Sequence, residues 1–132
     1  KSDIVELVLS QIEKSSGYFW VILNEKEDFL GIVYLENFVE SKKQIFSAEI
    51  TTCFEKRFWG TETKKCGKKF IKYCFNKLNI KKLKAIVYKE NFRVKTLIKI
   101  FGFQKEAILK AETVCNKKIQ DIEIYSIFNE RI

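Results

Sequence analysis

Histidine does not occur anywhere in this chain of 132 residues, and its absence excludes several kinds of site. Neither a Ser-His-Asp triad nor a Cys-His pair can form, so acid–base chemistry must use Glu, Asp, Tyr, Cys, Lys or ordered water. The four cysteines contain no C-x-x-C pair, and without histidine the usual zinc sites cannot be assembled. We therefore expect no metal, and we interpret the cysteines as buried structural thiols.

Proline and methionine are also absent, and glycine occurs only five times. No linker, repeat or low-complexity segment is visible, and a chain of this length with 46% hydrophobic residues suits one core. We expect a single domain over residues 1–132. Because no initiator methionine precedes the first predicted helix, we also expect that the protein's true N-terminal segment is missing.

Long apolar runs are missing as well. No run approaches the eighteen or so residues that span a bilayer, and the first residues lack the basic and apolar blocks of a signal peptide. These patterns predict a soluble, cytoplasmic protein with no membrane partner.

The net charge of +8 is unevenly distributed. Residues 1–40 hold three lysines against eight acidic residues, whereas residues 41–132 hold 22 basic residues against nine acidic ones. The first part suits a cationic partner and the second an anionic one, although both charge sets would also suit solvated faces. The sequence does not favour nucleic acid as a partner, because the lysines cluster on one predicted helix without an RNP, KH or zinc-finger signature.

The hydrophobic pattern predicts the order α-β-β-β-α-β-α-β-β. Ser2 caps a first helix that reaches about Lys14. Asn91 is the predicted N-cap of the last helix, which Gly102 ends. The second helix carries apolar residues on one face and lysines on the other. The predicted strands are 18–23, 29–35, 46–54, 83–88, 103–114 and 119–128, and the later helices are 61–78 and 91–101.

Several short pieces occur in the order typical of the GNAT superfamily of N-acetyltransferases. They are Ala48-Glu49-Ile50, Arg57-Phe58-Trp59-Gly60, Tyr73-Cys74-Phe75, Asn91 and Gly102-Phe103. The chain resembles this superfamily over nearly its whole length, and within it the branch of the ribosomal-protein N-terminal acetyltransferases. The resemblance implies an α/β (α+β) fold whose mixed, mostly antiparallel sheet is flanked by helices, without the family's first strand and helix.

The resemblance also implies acetyl-CoA as co-substrate, with its pantetheine arm in a notch between strands 46–54 and 83–88. The loop before the second helix would receive the pyrophosphate, since a helix N-terminus presents N–H donors and a partial positive charge. The implied cofactor-binding residues are Cys53, Phe54, Arg57, Phe58, Trp59, Gly60, Thr61, Glu62 and Asn91.

Two catalytic roles follow from the chemistry of amide formation, which needs a neutral amine. Glu49 is a carboxylate in a half-buried, β-rich segment where desolvation would raise its pKa, so it is the candidate general base. A position on the solvent face of the strand is its alternative. Tyr125, Tyr88 and Cys53 are candidates for protonating the leaving thiolate, with a packing role as the alternative for each. The implied acceptor is the amine of a small molecule or a protein N-terminus: an α-amine, a polyamine or an amino sugar.

The chain departs from the family pattern at two points. Gly60-Thr61-Glu62 lacks the second glycine that usually follows two residues after the first, and Val94 stands where many relatives have a serine. These departures favour an alternative function, a degenerate protein that binds acyl-CoA without catalysis.

Overall fold

The computed structural model describes residues 18–130, so the helix predicted over residues 2–14 lies outside the described part. Within it there are six strands and two α-helices. The strands are β1 (Phe19–Leu23), β2 (Phe29–Ser41), β3 (Gln44–Phe54), β4 (Lys82–Tyr88), β5 (Gln104–Cys115) and β6 (Lys118–Phe128). The helices are α1 (Thr61–Asn76) and α2 (Phe92–Ile100), and a short 3₁₀ turn (Lys56–Phe58) precedes α1.

The six strands form one sheet in the order β1-β2-β3-β4-β6-β5. Every neighbouring pair is antiparallel except β3 and β4, which run parallel. A parallel pair needs a crossover connection, and α1 supplies it. The sheet is therefore mixed and mostly antiparallel, as predicted.

The hairpin of β2 and β3 is longer than predicted. We expected β2 to end at residue 35 and the polar stretch after it to be a connection. Instead β2 continues to Ser41, and a two-residue turn follows in which Lys42 and Lys43 both have positive φ, the backbone of a tight hairpin turn. The register shifts between Glu36 and Val39, so a bulge lets the strand continue through polar residues.

Both helices pack on the same face of the sheet. Ile71 and Cys74 of α1 and Ile98 of α2 are buried in one cluster with strand residues of β2, β3, β4 and β6. The lysines of α1 are exposed on the opposite side of the helix, as its amphipathic pattern predicted. Among residues 18–130, neither helix has the length and apolar character that a membrane crossing requires.

Helix α1 approaches the end of α2 closely at a glycine. A Cβ atom on Gly67 would lie 2.2 Å from Cζ of Phe101, the residue that follows α2. Carbon atoms in contact are usually about 3.5–4.0 Å apart. The ring of Phe101 therefore occupies the space that any other residue at position 67 would need.

Strands β3 and β4 pair only briefly before they separate. Their register runs from Ser47 opposite Lys82 to Glu49 opposite Lys84. Beyond this point β3 remains paired with β2 as far as Phe54, whereas β4 remains paired with β6 as far as Tyr88. The two strands thus diverge into the notch that the resemblance implies.

Candidate active site

A cavity of about 480 Å³ occupies the notch between the diverging strands. This volume lies in the range of small-molecule sites. Its floor is formed by residues 50–54 of β3, and its walls come from α1, α2 and the end of β4. Most of the lining is apolar, with polar groups at Thr51, Thr52, Thr63, Tyr88, Asn91 and Arg93.

The edge of β3 toward the cavity can pair with an extended ligand. Since β4 leaves β3 after Glu49, the backbone groups of residues 50–54 that point away from β2 face the notch. At Gly31, β2 comes so close to β3 that a Cβ atom would lie 2.3 Å from the carbonyl oxygen of Cys53. A ligand with amides along an extended arm suits this edge because it can form strand-like hydrogen bonds.

The N-terminus of α1 lies beside the cavity and begins at a glycine in a special conformation. Gly60 is the N-cap with φ 106°, and the first helical hydrogen bond joins the N–H of Lys64 to its carbonyl at 3.0 Å. Gly60 and Thr63 also line a smaller pocket of about 170 Å³ between α1 and α2. The first turn of α1 therefore provides the N–H donors and partial positive charge that an anion requires.

Glu62 brings a negative charge into the same turn. Burial raises the pKa of the Cys66 thiol, and the Glu62 carboxylate raises it further. Cys66 lines the cavity, so Glu62 acts electrostatically on a residue of the cavity wall. Thr61 lies beside it at the start of the helix.

Trp59 is held rigidly between the loop and α2. Its indole N–H donates to the carbonyl oxygen of Phe54 at 3.1 Å. The guanidinium carbon of Arg93 lies 3.4 Å from the centroid of a Trp59 ring, and the ammonium group of Lys56 lies 6.0 Å from it. Burial lowers the pKa of Arg93 from its usual value, but an arginine keeps its charge in this range.

Arg93 is the residue that sequence reasoning missed. It lines both the large cavity and the smaller pocket at the N-terminus of α1. The sequence feature that could have indicated Arg93 is Asn91. As the predicted N-cap, Asn91 puts Arg93 in the first turn of α2, next to the end of β4. The stacking on Trp59 joins positions 34 residues apart in sequence and has no local signature.

Asn91 occupies its predicted cap position. Its side-chain oxygen accepts a hydrogen bond from the N–H of Val94 at 3.3 Å, so the capping interpretation is confirmed. Asn91 also lines the cavity, together with Cys53, Phe54 and Trp59, so it can contact a bound ligand.

Two predicted residues belong to the 3₁₀ turn. The backbone of Phe58 ends this turn. Arg57 is exposed, and its Nε lies 3.8 Å from a carboxylate oxygen of Glu55. The attraction of Arg57 for an anion is thus partly offset by a neighbouring negative charge.

Glu49 lies where β3 and β4 separate. It is half-buried, and it is the last β3 residue in register with β4. Its neighbours Ala48 and Ile50 face the helices, so Glu49 points to the opposite face of the sheet. There it stands between Glu36 of β2 and Lys84 of β4 in the strand register, and it is not among the residues that line the cavity.

Tyr125 does not reach the cavity. It is fully buried in the core, and its hydroxyl donates to Oε1 of Glu123 at 2.7 Å. Burial raises the pKa of Tyr125 to about 12, and the Glu123 carboxylate contributes to the increase. The structure gives Tyr125 the packing position that was its alternative, and the proposed acid role has no geometric support.

Glu123 is the buried centre of an ionic group. Its Oε1 lies 3.4 Å from Nζ of Lys95 on α2 and 3.4 Å from Nζ of Lys105 on β5. Burial alone would raise the pKa of Glu123, but hydrogen bonds from Tyr125, Lys105 and Lys95 outweigh it and hold the pKa below its usual value. This group ties α2 to the sheet beside the cavity.

The cysteines differ from the expectation that all four are buried thiols. Cys74 is buried, but Cys53 is exposed and Cys66 and Cys115 are half-buried. Cys53 lies on the part of β3 beyond its pairing with β4, and it lines the cavity. In the described part of the chain, no three His, Cys, Asp or Glu side chains are grouped as metal ligands would be.

Known proteins resemble this chain in sequence pattern and in fold. A family model described as "Acetyltransferase (GNAT) domain" matches residues 2–104. A mutant of the spermidine N-acetyltransferase SpeG from Vibrio cholerae has a TM-score of 0.80 and 22% identity, with 98% of this chain and 76% of that chain covered. No curated protein sequence matches the chain.

Two further solved structures share the fold. A ribosomal-protein-S5-alanine acetyltransferase from Vibrio fischeri has a TM-score of 0.75 and 17% identity, with 95% of this chain and 69% of that chain covered. A GNAT-family acetyltransferase from Bacillus anthracis has a TM-score of 0.76 and 14% identity, with 90% and 70% covered. These likenesses confirm the predicted mixed α/β fold.

Proposed function

The chain belongs to the GNAT acetyltransferase family, and we propose that it transfers an acetyl group from acetyl-CoA to a primary amine. The observation that carries the proposal is the notch between β3 and β4, which leads to the N-terminus of α1. An extended pantetheine arm suits the free edge of β3. The pyrophosphate suits the turn that begins at Gly60.

Glu49 is our proposed general base. A peptide α-amine with a pKa near 8 costs about 1.4 kcal/mol to deprotonate at pH 7, whereas a lysine-like amine near 10.4 costs about 4.6 kcal/mol. A carboxylate at the point where the strands separate can accept this proton, directly or through a water molecule. Its half-buried position on β3 supports the role.

The acceptor we propose is cationic before it reacts. Glu36 and Glu49 are direct partners across β2 and β3, so two carboxylates face the same side of the sheet with Lys84 beside them. Like charges directly opposite each other destabilise a strand pair unless cations compensate them, and Lys84 balances only one of the two negative charges. A polyamine, an amino sugar or a protein N-terminus would supply the second cation.

The second candidate function is acyl-CoA binding without catalysis. Glu62 favours it, because a carboxylate in the first turn of α1 repels a phosphate at the same place.

A binding and turnover experiment separates the candidates. Thermal unfolding is measured with acetyl-CoA and CoA, and release of the CoA thiol is then followed with spermidine, glucosamine and an alanine-initiated peptide. Stabilisation by acetyl-CoA together with amine-dependent thiol release supports the enzyme. Stabilisation without turnover on any amine supports the second candidate, and no stabilisation contradicts both.

The base is tested by Glu49→Gln, with the exposed Glu112→Gln on β5 as the matched control. We expect Glu49→Gln to lower kcat by about 10²- to 10⁴-fold with an unchanged Kd for acetyl-CoA. Unchanged turnover of every active amine would show that another group removes the proton.

A further inference from the structure

We infer that Arg93, stacked on Trp59, is the cation that binds the pyrophosphate of CoA in this protein. The inference rests on the proposed function and adds a specific ligand to the site. It starts from the position of Arg93 between two cavities: the notch that suits the pantetheine arm and the smaller pocket formed with Gly60 and Lys64. A ligand that runs from one to the other passes this guanidinium.

Trp59 fixes the orientation of the Arg93 guanidinium. The indole is itself held by its hydrogen bond to the carbonyl of Phe54, so the ring offers a rigid surface. Stacking at 3.4 Å uses one flat face of the guanidinium. The N–H donors of a guanidinium point outward in its own plane, which leaves them directed at a ligand beside the ring. Arg93 is solvent-exposed, so a ligand can reach it.

The charges around the loop explain why such a cation is needed. The helix N-terminus offers roughly half a positive charge, and the Glu62 carboxylate in the first turn opposes it. Arg57 lies beside Glu55 and not in the lining of either cavity. The loop sequence Gly60-Thr61-Glu62 carries a carboxylate where the phosphates would lie. The full positive charge of Arg93 on α2 compensates for this negative charge.

The test compares Arg93→Gln with Lys99→Gln, which removes the same charge from the exposed last turn of α2. Equilibrium binding is measured for CoA, 3′-dephospho-CoA and pantetheine, which carries no phosphate. For Arg93→Gln we expect affinity for CoA and 3′-dephospho-CoA to fall by the same factor, roughly 10- to 100-fold. Affinity for pantetheine should not change, and Lys99→Gln should bind all three as the wild type does.

Three results would overturn the inference. Equal loss of pantetheine affinity would show that Arg93 only braces the loop, and unchanged CoA affinity would show that it binds no phosphate. A loss for CoA without a loss for 3′-dephospho-CoA would assign Arg93 to the 3′-phosphate. If the wild type itself binds no CoA, the proposed function fails, which is a different result from wild-type binding that Arg93→Gln leaves intact.

Discussion

The close contact between Gly67 and Phe101 makes the substitution Gly67→Ala informative. In a helix interior, alanine is favoured over glycine by about 1 kcal/mol. Here the new methyl group would lie 2.2 Å from Cζ of Phe101, so the ring must move by more than 1 Å. Overpacking of this kind costs about 1–3 kcal/mol. We expect Gly67→Ala to lower the free energy of unfolding by up to about 2 kcal/mol, because the cost of overpacking exceeds the gain in helix propensity.

A double-mutant cycle isolates the contact. The three nearest atoms are Cζ, Cε1 and Cε2 of the ring, and Phe101→Leu removes all of them. In the Phe101→Leu background, Gly67→Ala should raise the free energy of unfolding by about 1 kcal/mol, so the sign of its effect reverses. Urea denaturation of the four proteins measures the cycle. An equal stabilisation by Gly67→Ala in both backgrounds would refute the packing of α1 on Phe101.

Three further predictions concern charged and polar groups near the site. Glu123→Gln should lower the free energy of unfolding by about 1–3 kcal/mol at neutral pH. Because the folded-state pKa of Glu123 is lowered, this difference should shrink as pH falls below the usual value of 4.5, and a pH-independent difference would contradict the ionic group. Tyr125→Phe should leave kcat unchanged because the hydroxyl lies outside the cavity lining; a fall of about 100-fold would restore its role as an acid. Glu62→Gln should tighten CoA binding, measured as Kd, by several-fold if repulsion in the first turn is about 1 kcal/mol, and weaker binding would show that Glu62 assists the ligand.

The sequence predicted best those elements whose pattern is local. Helix α1 was predicted over residues 61–78 and spans Thr61–Asn76, because its apolar stripe repeats through four turns. The long end of β2 was missed, since Asn37 sits in a bulge with positive φ and looks like a turn residue.

The direction of side chains in β6 was harder to predict. Apolar residues occupy both faces of this strand, with Ile122 and Ile124 on one and Tyr125 and Ile127 on the other. Alternation could therefore not show that Tyr125 faces the core. The contact between Arg93 and Trp59 could likewise not be predicted, because it depends on how α2 packs beside the loop before α1.

The short register between β3 and β4 makes the sheet a pair of three-stranded leaves, β1-β2-β3 and β4-β6-β5, whose backbones meet at three residue pairs. A ligand lying along β3 would act as a partial seventh strand and connect the two leaves. Its binding free energy would then add to the stability of the fold, by about 2.7 kcal/mol at a concentration 100 times its Kd. The free energy of unfolding would then rise with the cellular concentration of the acyl donor.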